Sequence, residues 1–208
     1  MVAKSDMLRR AYAVKNADDI RNLYRDWAAT YDEDLTGKDL QYVAPREAVN
    51  VFVRHFEERS AQILDVGCGT GLSGQALVDA GFDQIDGIDL SPDMLEQARA
   101  KGAYGNLFEA DLTAGLKFAD DTYDAAISVG TFTHGHVGPD GLDEVIRVVK
   151  PGGIVCVTIN EGVFEKMEYR EHINRLESEG VCRVQELVPA DYLLAEGIRS
   201  MILALEVR

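Results

Sequence analysis

Basic residues, long apolar runs and paired cysteines are what this chain has least of, and each shortage excludes something. No stretch reaches the roughly 18 consecutive apolar residues that a membrane-crossing helix needs, so no membrane association is expected. Residues 1–20 are polar and charged and lack the apolar core of a secretory signal. Cys68, Cys156 and Cys182 form an odd set without metal-ligand spacing, which points to a reduced, cytoplasmic interior rather than a disulfide framework. Lys and Arg number 21 against 36 Asp and Glu, a formal net charge of −15. A chain so acidic repels the phosphate backbone of DNA or RNA, so a small neutral or basic molecule suits it better than nucleic acid as a partner. Internal repeats, low-complexity tracts and domain linkers are also missing. The 208 residues are therefore expected to form one domain with a substantial core.

What is present centres on Ile63-Leu64-Asp65-Val66-Gly67-Cys68-Gly69-Thr70-Gly71. An apolar run broken by one acid is followed by three glycines at alternate positions, which reads as a buried parallel strand turning sharply into a helix. Glycine permits positive φ and close backbone approach to a ligand, and the helix start points free N–H groups into the loop. Strands are expected at 62–66, 84–89, 106–111, 123–129 and 154–159, alternating with helices at 72–80, 92–101 and 142–149. That alternation implies a parallel sheet covered on both faces. Lys150-Pro151-Gly152-Gly153 is expected to turn the chain before the fifth strand. A long polar helix over 163–179 and two strands over 181–188 and 201–207 follow.

Residues 1–60 read as a helical preface to the core at 61–208, with helices over 17–32 and 45–58 and a polar, hinge-like link at 33–41. The helix starting near Pro45 must begin on the side of the sheet where the first strand ends. Tyr31, Tyr42 and Arg46 are thereby expected to overhang the open end of the glycine loop, with the preface acting as a lid.

Asp89 closes the second strand 20 residues after Gly69, where a carboxylate can accept both ribose hydroxyls of an adenosine. Arg46 is a cation at a helix start, a position that the helix dipole disfavours; gripping a ligand carboxylate would explain it. Met94 opens the helix after the second strand, where a thioether can pack on an adenine face. In the loop after the fourth strand, His134 and His136 lack the further ligands of a metal site, and no metal is expected. The two histidines read either as pocket-lining residues bonded to the backbone or as a source of a general base for a substrate hydroxyl or amine, with His134, nearer the strand end, the better candidate for that base.

The Gly-x-Gly-x-Gly loop preceded by Asp65 resembles the first motif of the class I S-adenosylmethionine (SAM) methyltransferases. The resemblance implies a doubly wound, seven-stranded, mostly parallel α/β sheet whose final strand is antiparallel, and a loop wrapping the amino-acid end of SAM. It implies SAM as cofactor and S-adenosylhomocysteine (SAH) as product. Gly67, Cys68 and Gly69 would contact the cofactor through the loop, Cys68 by its backbone, and Asp111 would accept the adenine amino group. Leu90, Leu112, Val129 and Gly130 would complete the contacts at the strand ends, and Tyr31 would face the sulfonium. Asp26-Trp27-Ala28-Ala29-Thr30-Tyr31-Asp32, Tyr42-Val43-Ala44-Pro45-Arg46-Glu47-Ala48-Val49 and Gly130-Thr131-Phe132-Thr133-His134-Gly135-His136-Val137-Gly138 are similar, more narrowly, to the Williams-Beuren syndrome region methyltransferase-like family. The expected activity is SAM-dependent methylation of a small molecule. A SAM-binding scaffold without transfer is the alternative. A nicotinamide oxidoreductase fits less well, because its third glycine would fall at Leu72.

Overall fold

The computed structural model describes residues 4–14 and 16–208; residues 1–3 of the expected preface lie outside the described residues. The elements run α1 (Lys4–Ala11), α2 (Ala17–Trp27), α3 (Tyr31–Thr36), α4 (Ala44–His55), β1 (Ile63–Val66), α5 (Leu72–Asp79), β2 (Ile85–Asp89), α6 (Pro92–Lys101) and β3 (Asn106–Glu109). Then come β4 (Tyr123–Phe132), α7 (Gly141–Arg147), β5 (Val149–Asn160), α8 (Glu161–Phe164), α9 (Tyr169–Ser178), β6 (Cys182–Leu193) and β7 (Ile198–Val207). The seven strands form one sheet in the order β3-β2-β1-β4-β5-β7-β6. β1 through β5 are parallel, and β7 runs antiparallel between β5 and β6.

Alternation along the strands divides two cores. Leu64, Val66, Ala126, Val155 and Val157 face one way, against Leu142, Val145 and Ile146 of α7 and Ile173 and Leu176 of α9. Their neighbours Ile63, Ile85, Ala125, Ile127 and Cys156 face the other way, against Ala48 and Phe52 of α4 and Leu77 of α5. Burial on both faces is what a parallel sheet requires, and each fully buried aliphatic side chain contributes about 1.5–3 kcal/mol.

Two expected helices are each broken in two. The break at 28–30 separates Trp27 from Tyr31: Trp27 Nε1 and Thr30 Oγ1 both donate to Asp34 Oδ2, at 2.9 and 3.0 Å. The buried indole thus obtains a partner from the following helix, which satisfies its N–H. The second break falls between α8 and α9, where Glu168 adopts φ 56°. On one continuous helix Phe164 and Tyr169 would point about 140° apart; the break lets both rings stack in the same core, 6.3 Å between centroids. The expected turn at 150–153 survives as a loop-out inside β5, because Tyr123 pairs with Val149 and Ala125 with Ile154.

The preface has its own apolar centre. Met7, Ala11, Leu23, Trp27, Leu35 and Leu40 pack with Leu193 of β6. Tyr42 bridges to Leu193, and Val43 N donates to the Tyr192 carbonyl at 3.1 Å. The link expected to be a loose polar hinge is therefore anchored to the sheet by Leu35 and Leu40. Among the described residues no helix is long and apolar enough to cross a membrane.

Candidate active site

The glycine loop lies where β1 ends. Gly67, Gly69 and Gly71 have φ of 70°, 54° and 92°. A Cβ on Gly67 would come 2.1 Å from Thr131 Oγ1, so the loop passes β4 only without a side chain there. Cys68 N donates to the Ile88 carbonyl at 2.9 Å, and Gly69 N donates to Asp89 Oδ2 at 2.8 Å. Asp89 Oδ1 accepts from Ser91 N at 2.8 Å. One carboxylate thus fixes the loop and the start of α6 together. Burial raises the Asp89 carboxyl above its ordinary value, opposed by the N–H groups of Ser91 and Gly69. Below the loop, Asp65 Oδ2 accepts from Ser73 Oγ at 2.6 Å and Tyr104 Oη at 2.7 Å. Burial pushes Asp65 up to about 6, and its Oδ1 has no partner among the described residues.

A cavity of about 320 Å³ opens at this edge. Gly67 and Gly69 line it from the loop, and Asp89, Leu90 and Met94 from the end of β2. Asp111 and Leu112 face it after β3, Val129 and Gly130 at the end of β4, and Tyr31 from the preface. Asp111 Oδ1 accepts both Thr113 N and Thr113 Oγ1, at 2.9 and 2.6 Å, which leaves Oδ2 available.

Three expected contacts are not brought to the cavity. Arg46 has a side chain 71% exposed and pairs with Glu47, because α4 turns Ala44, Ala48 and Phe52 to the core and Arg46 to the outside. The Cys68 side chain is buried against Gly87, and only its backbone belongs to the loop. His134 packs edge-on to Tyr12, centroids 5.4 Å apart, and does not line the cavity. His136 does. Its Nδ1 lies 2.8 Å from the His134 carbonyl oxygen, an acceptor only, so Nδ1 carries the proton. Nε2 is then an acceptor and receives the Tyr24 hydroxyl at 3.0 Å. Burial lowers the His136 imidazole below its ordinary value, which keeps it neutral.

Sequence reasoning missed the roof of the cavity, formed by Asn16, Ile20 and Tyr24 of α2 and its cap. The four-residue spacing of Ile20 and Tyr24 on one helix face was the available signal. It also missed a latch. Asp32 Oδ2 accepts from Lys101 Nζ, Lys101 Nζ also donates to the Thr70 carbonyl, and Thr70 Oγ1 donates to Asp32 Oδ1, each at 2.5 Å. The preface, the glycine loop and the end of α6 are thereby joined.

Residues 63–153 match the family model described as "Methyltransferase domain". The chain is 36% identical over 197 residues to methyltransferase-like protein 27 of Homo sapiens, covering 91% of this chain and 79% of that protein. A shorter similarity, 42% over 73 residues, links it to an 18S rRNA (guanine-N(7))-methyltransferase of Bos taurus, covering 35% of this chain and 26% of that one. Among solved structures, magnesium protoporphyrin IX methyltransferase from Synechocystis with bound SAH shares the fold at a TM-score of 0.70 and 15% identity, over 92% of this chain and 99% of that one. The seven-stranded sheet, the glycine loop at its carboxyl edge and these similarities agree: the chain belongs to the class I SAM-dependent methyltransferases.

Proposed function

We propose that the cavity binds SAM, releases SAH and presents a small-molecule methyl acceptor to the cofactor beneath the preface. The observation that carries this reading is the meeting of the glycine loop, Asp89 and Asp111 on one cavity. Bound SAM supplies a methyl group already activated by its sulfonium, so the residues need chiefly to bind, orient and exclude water. Asp89, held by two backbone N–H groups, keeps acceptor capacity for the ribose hydroxyls. Asp111 accepts the adenine amino group, Met94 and Leu112 pack on the ring, and Tyr31 offers an aromatic face to the sulfonium. Residues 1–208 act as one methyltransferase domain with 1–60 as its lid. The narrower kinship with the Williams-Beuren syndrome region family is part of this proposal, supported by the preface and the post-β4 loop lining one cavity.

A small acceptor in a cytoplasmic setting is favoured over RNA by the net charge of −15 and by a cavity that no described Lys or Arg lines. The rRNA-modifying relative shares only a short segment with this chain. Calorimetry with SAH tests the cofactor assignment. Micromolar binding is expected, weakened by about 1–3 kcal/mol in Asp89→Ala, because the ribose hydroxyls lose their buried acceptor. Unchanged affinity in that variant overturns the ribose role. Labelled SAM incubated with metabolite pools separates an enzyme from a binding scaffold, which would bind SAH and transfer nothing.

A further inference from the structure

The end of the cavity beside Gly130 is walled by tyrosine. Tyr24 and Tyr31 line it from the preface, rings edge-to-face with centroids 6.1 Å apart. A Cβ on Gly130 would stand 2.8 Å from Tyr192 Oη and 3.2 Å from Tyr42 Oη. Those two rings pack edge-on at 5.0 Å. Gly130 lines the cavity, and Tyr42 and Tyr192, which are not among its lining residues, set their hydroxyls directly beside Gly130. Four of the eight tyrosines of the chain thus gather at one strand end.

We propose that this tyrosine-walled end takes an amine as the methyl acceptor, entering as its ammonium ion. The proposal rests on the SAM reading above and names the acceptor class for the same site. Aromatic faces and phenol oxygens attract an ammonium, whereas a carboxylate or phosphate meets hydroxyl donors here and, among the described residues, no cation to pair with. No described Lys or Arg lines the cavity to pair with an anion. Burial first, then the nearness of Tyr24, Tyr192 and Asp89, raises the Tyr31 hydroxyl well above its ordinary value, so the phenol stays neutral and keeps its proton. The net charge of −15 raises the local concentration of cations around the molecule, an advantage that a neutral alcohol does not share.

An ammonium nitrogen has no lone pair, so one proton must leave before the new N–C bond forms. The Tyr24–His136 pair is set to take it. Tyr24 oxygen receives the proton of the amine as its own hydroxyl proton passes to Nε2 of His136, 3.0 Å away. The freed nitrogen lone pair then forms the N–C bond while the C–S bond breaks with its electrons left on sulfur. The products are a methylated ammonium and SAH, and His136 returns its proton to water.

Calorimetry on the SAH-bound full chain tests this with benzylamine, phenethylamine and butylamine, each beside its alcohol and carboxylate counterpart. At least one amine is expected to bind about 10-fold tighter than its alcohol, with no saturation by any carboxylate. Tyr42→Leu and Tyr192→Leu should weaken that amine about 10-fold, and the Phe variants less because the ring remains. SAH affinity should stay unchanged in all four. An alcohol or carboxylate that binds as tightly as its amine, or a protein that binds SAH and no amine, overturns the proposal. Loss of SAH together with the amine in the Leu variants also overturns it, by assigning the tyrosines to the cofactor. Failure of the unaltered chain to bind SAH would instead overturn the cofactor reading. Should a Leu variant not fold, the ligand series on the unaltered chain decides alone.

Discussion

Two positions apart, His134 and His136 meet different surroundings, and only His136 has a free-electron-pair nitrogen committed to a cavity-lining hydroxyl. His136→Gln is expected to lower turnover by about 10²-fold or more, while His134→Ala changes it little and neither alters SAH affinity. Burial holds the His136 imidazole below its ordinary value, so the acid limb of the rate profile should lie below about 6.5 and disappear in the Gln variant. Equal losses from both histidines would return His136 to a packing role. Position in the sequence favoured His134 as nearer the strand end; the tautomer locked by a backbone carbonyl is a three-dimensional fact with no trace in spacing. Asp65 carries a second residue-scale consequence. Its folded value, about 6, lies above the unfolded value of about 3.9. The folded chain therefore binds the extra proton between these values, and the contribution of Asp65 to stability is lost as pH rises through 6. Asp65→Asn keeps an acceptor for Ser73 and Tyr104 and removes the buried charge. It should raise the melting temperature at pH 8 and have much less effect at pH 4.

Among the elements, the preface departs furthest from what local sequence implies. Strand–helix alternation from 63 onward is legible because each strand is a short apolar run and each helix has its own punctuation. In α6, for example, Ser91 caps, Pro92 starts and Gly102 stops the helix. The breaks in the preface and before α9 are invisible to such reading, since they serve Trp27, Phe164 and Tyr169 in tertiary contacts. The cavity-lining residues after β1, β2 and β3 were legible for a related reason: the fold brings strand ends to one edge of the sheet. Arg46 was not, because helix position alone does not tell which way a side chain turns. The latch of Asp32, Lys101 and Thr70 gives the preface a testable role. SAH should slow hydrogen exchange in α2 and α3 more than in β6 or β7. Asp32→Ala should speed exchange in α2 and α3 and weaken SAH by about 5-fold, in keeping with a partly exposed ion pair. Identical exchange in variant and parent would show the preface to be held by its apolar cluster alone.

At the scale of the whole molecule, the sheet is wound so that sequence order and spatial order part company at one place. β6 lies at the sheet edge, and its ladder partner is β7, inserted between it and β5. In chain order β1 through β5 and their helices, including the complete glycine loop, precede β6, and among the described residues β6 has no ladder partner but β7, which follows it. Residues 198–207 then close the gap from inside, pairing Cys156 with Ala204 on one side and Leu187 with Leu203 on the other. Loss of those residues removes the centre of a core, since Ile202, Leu203, Ala204 and Leu205 are all buried. A chain cut after Gly197 is expected to show no cooperative melting transition and no SAH binding, although every residue that lines the cavity is still present. On this expectation the glycine loop and its carboxylates bind nothing until a strand that touches none of them has closed the sheet.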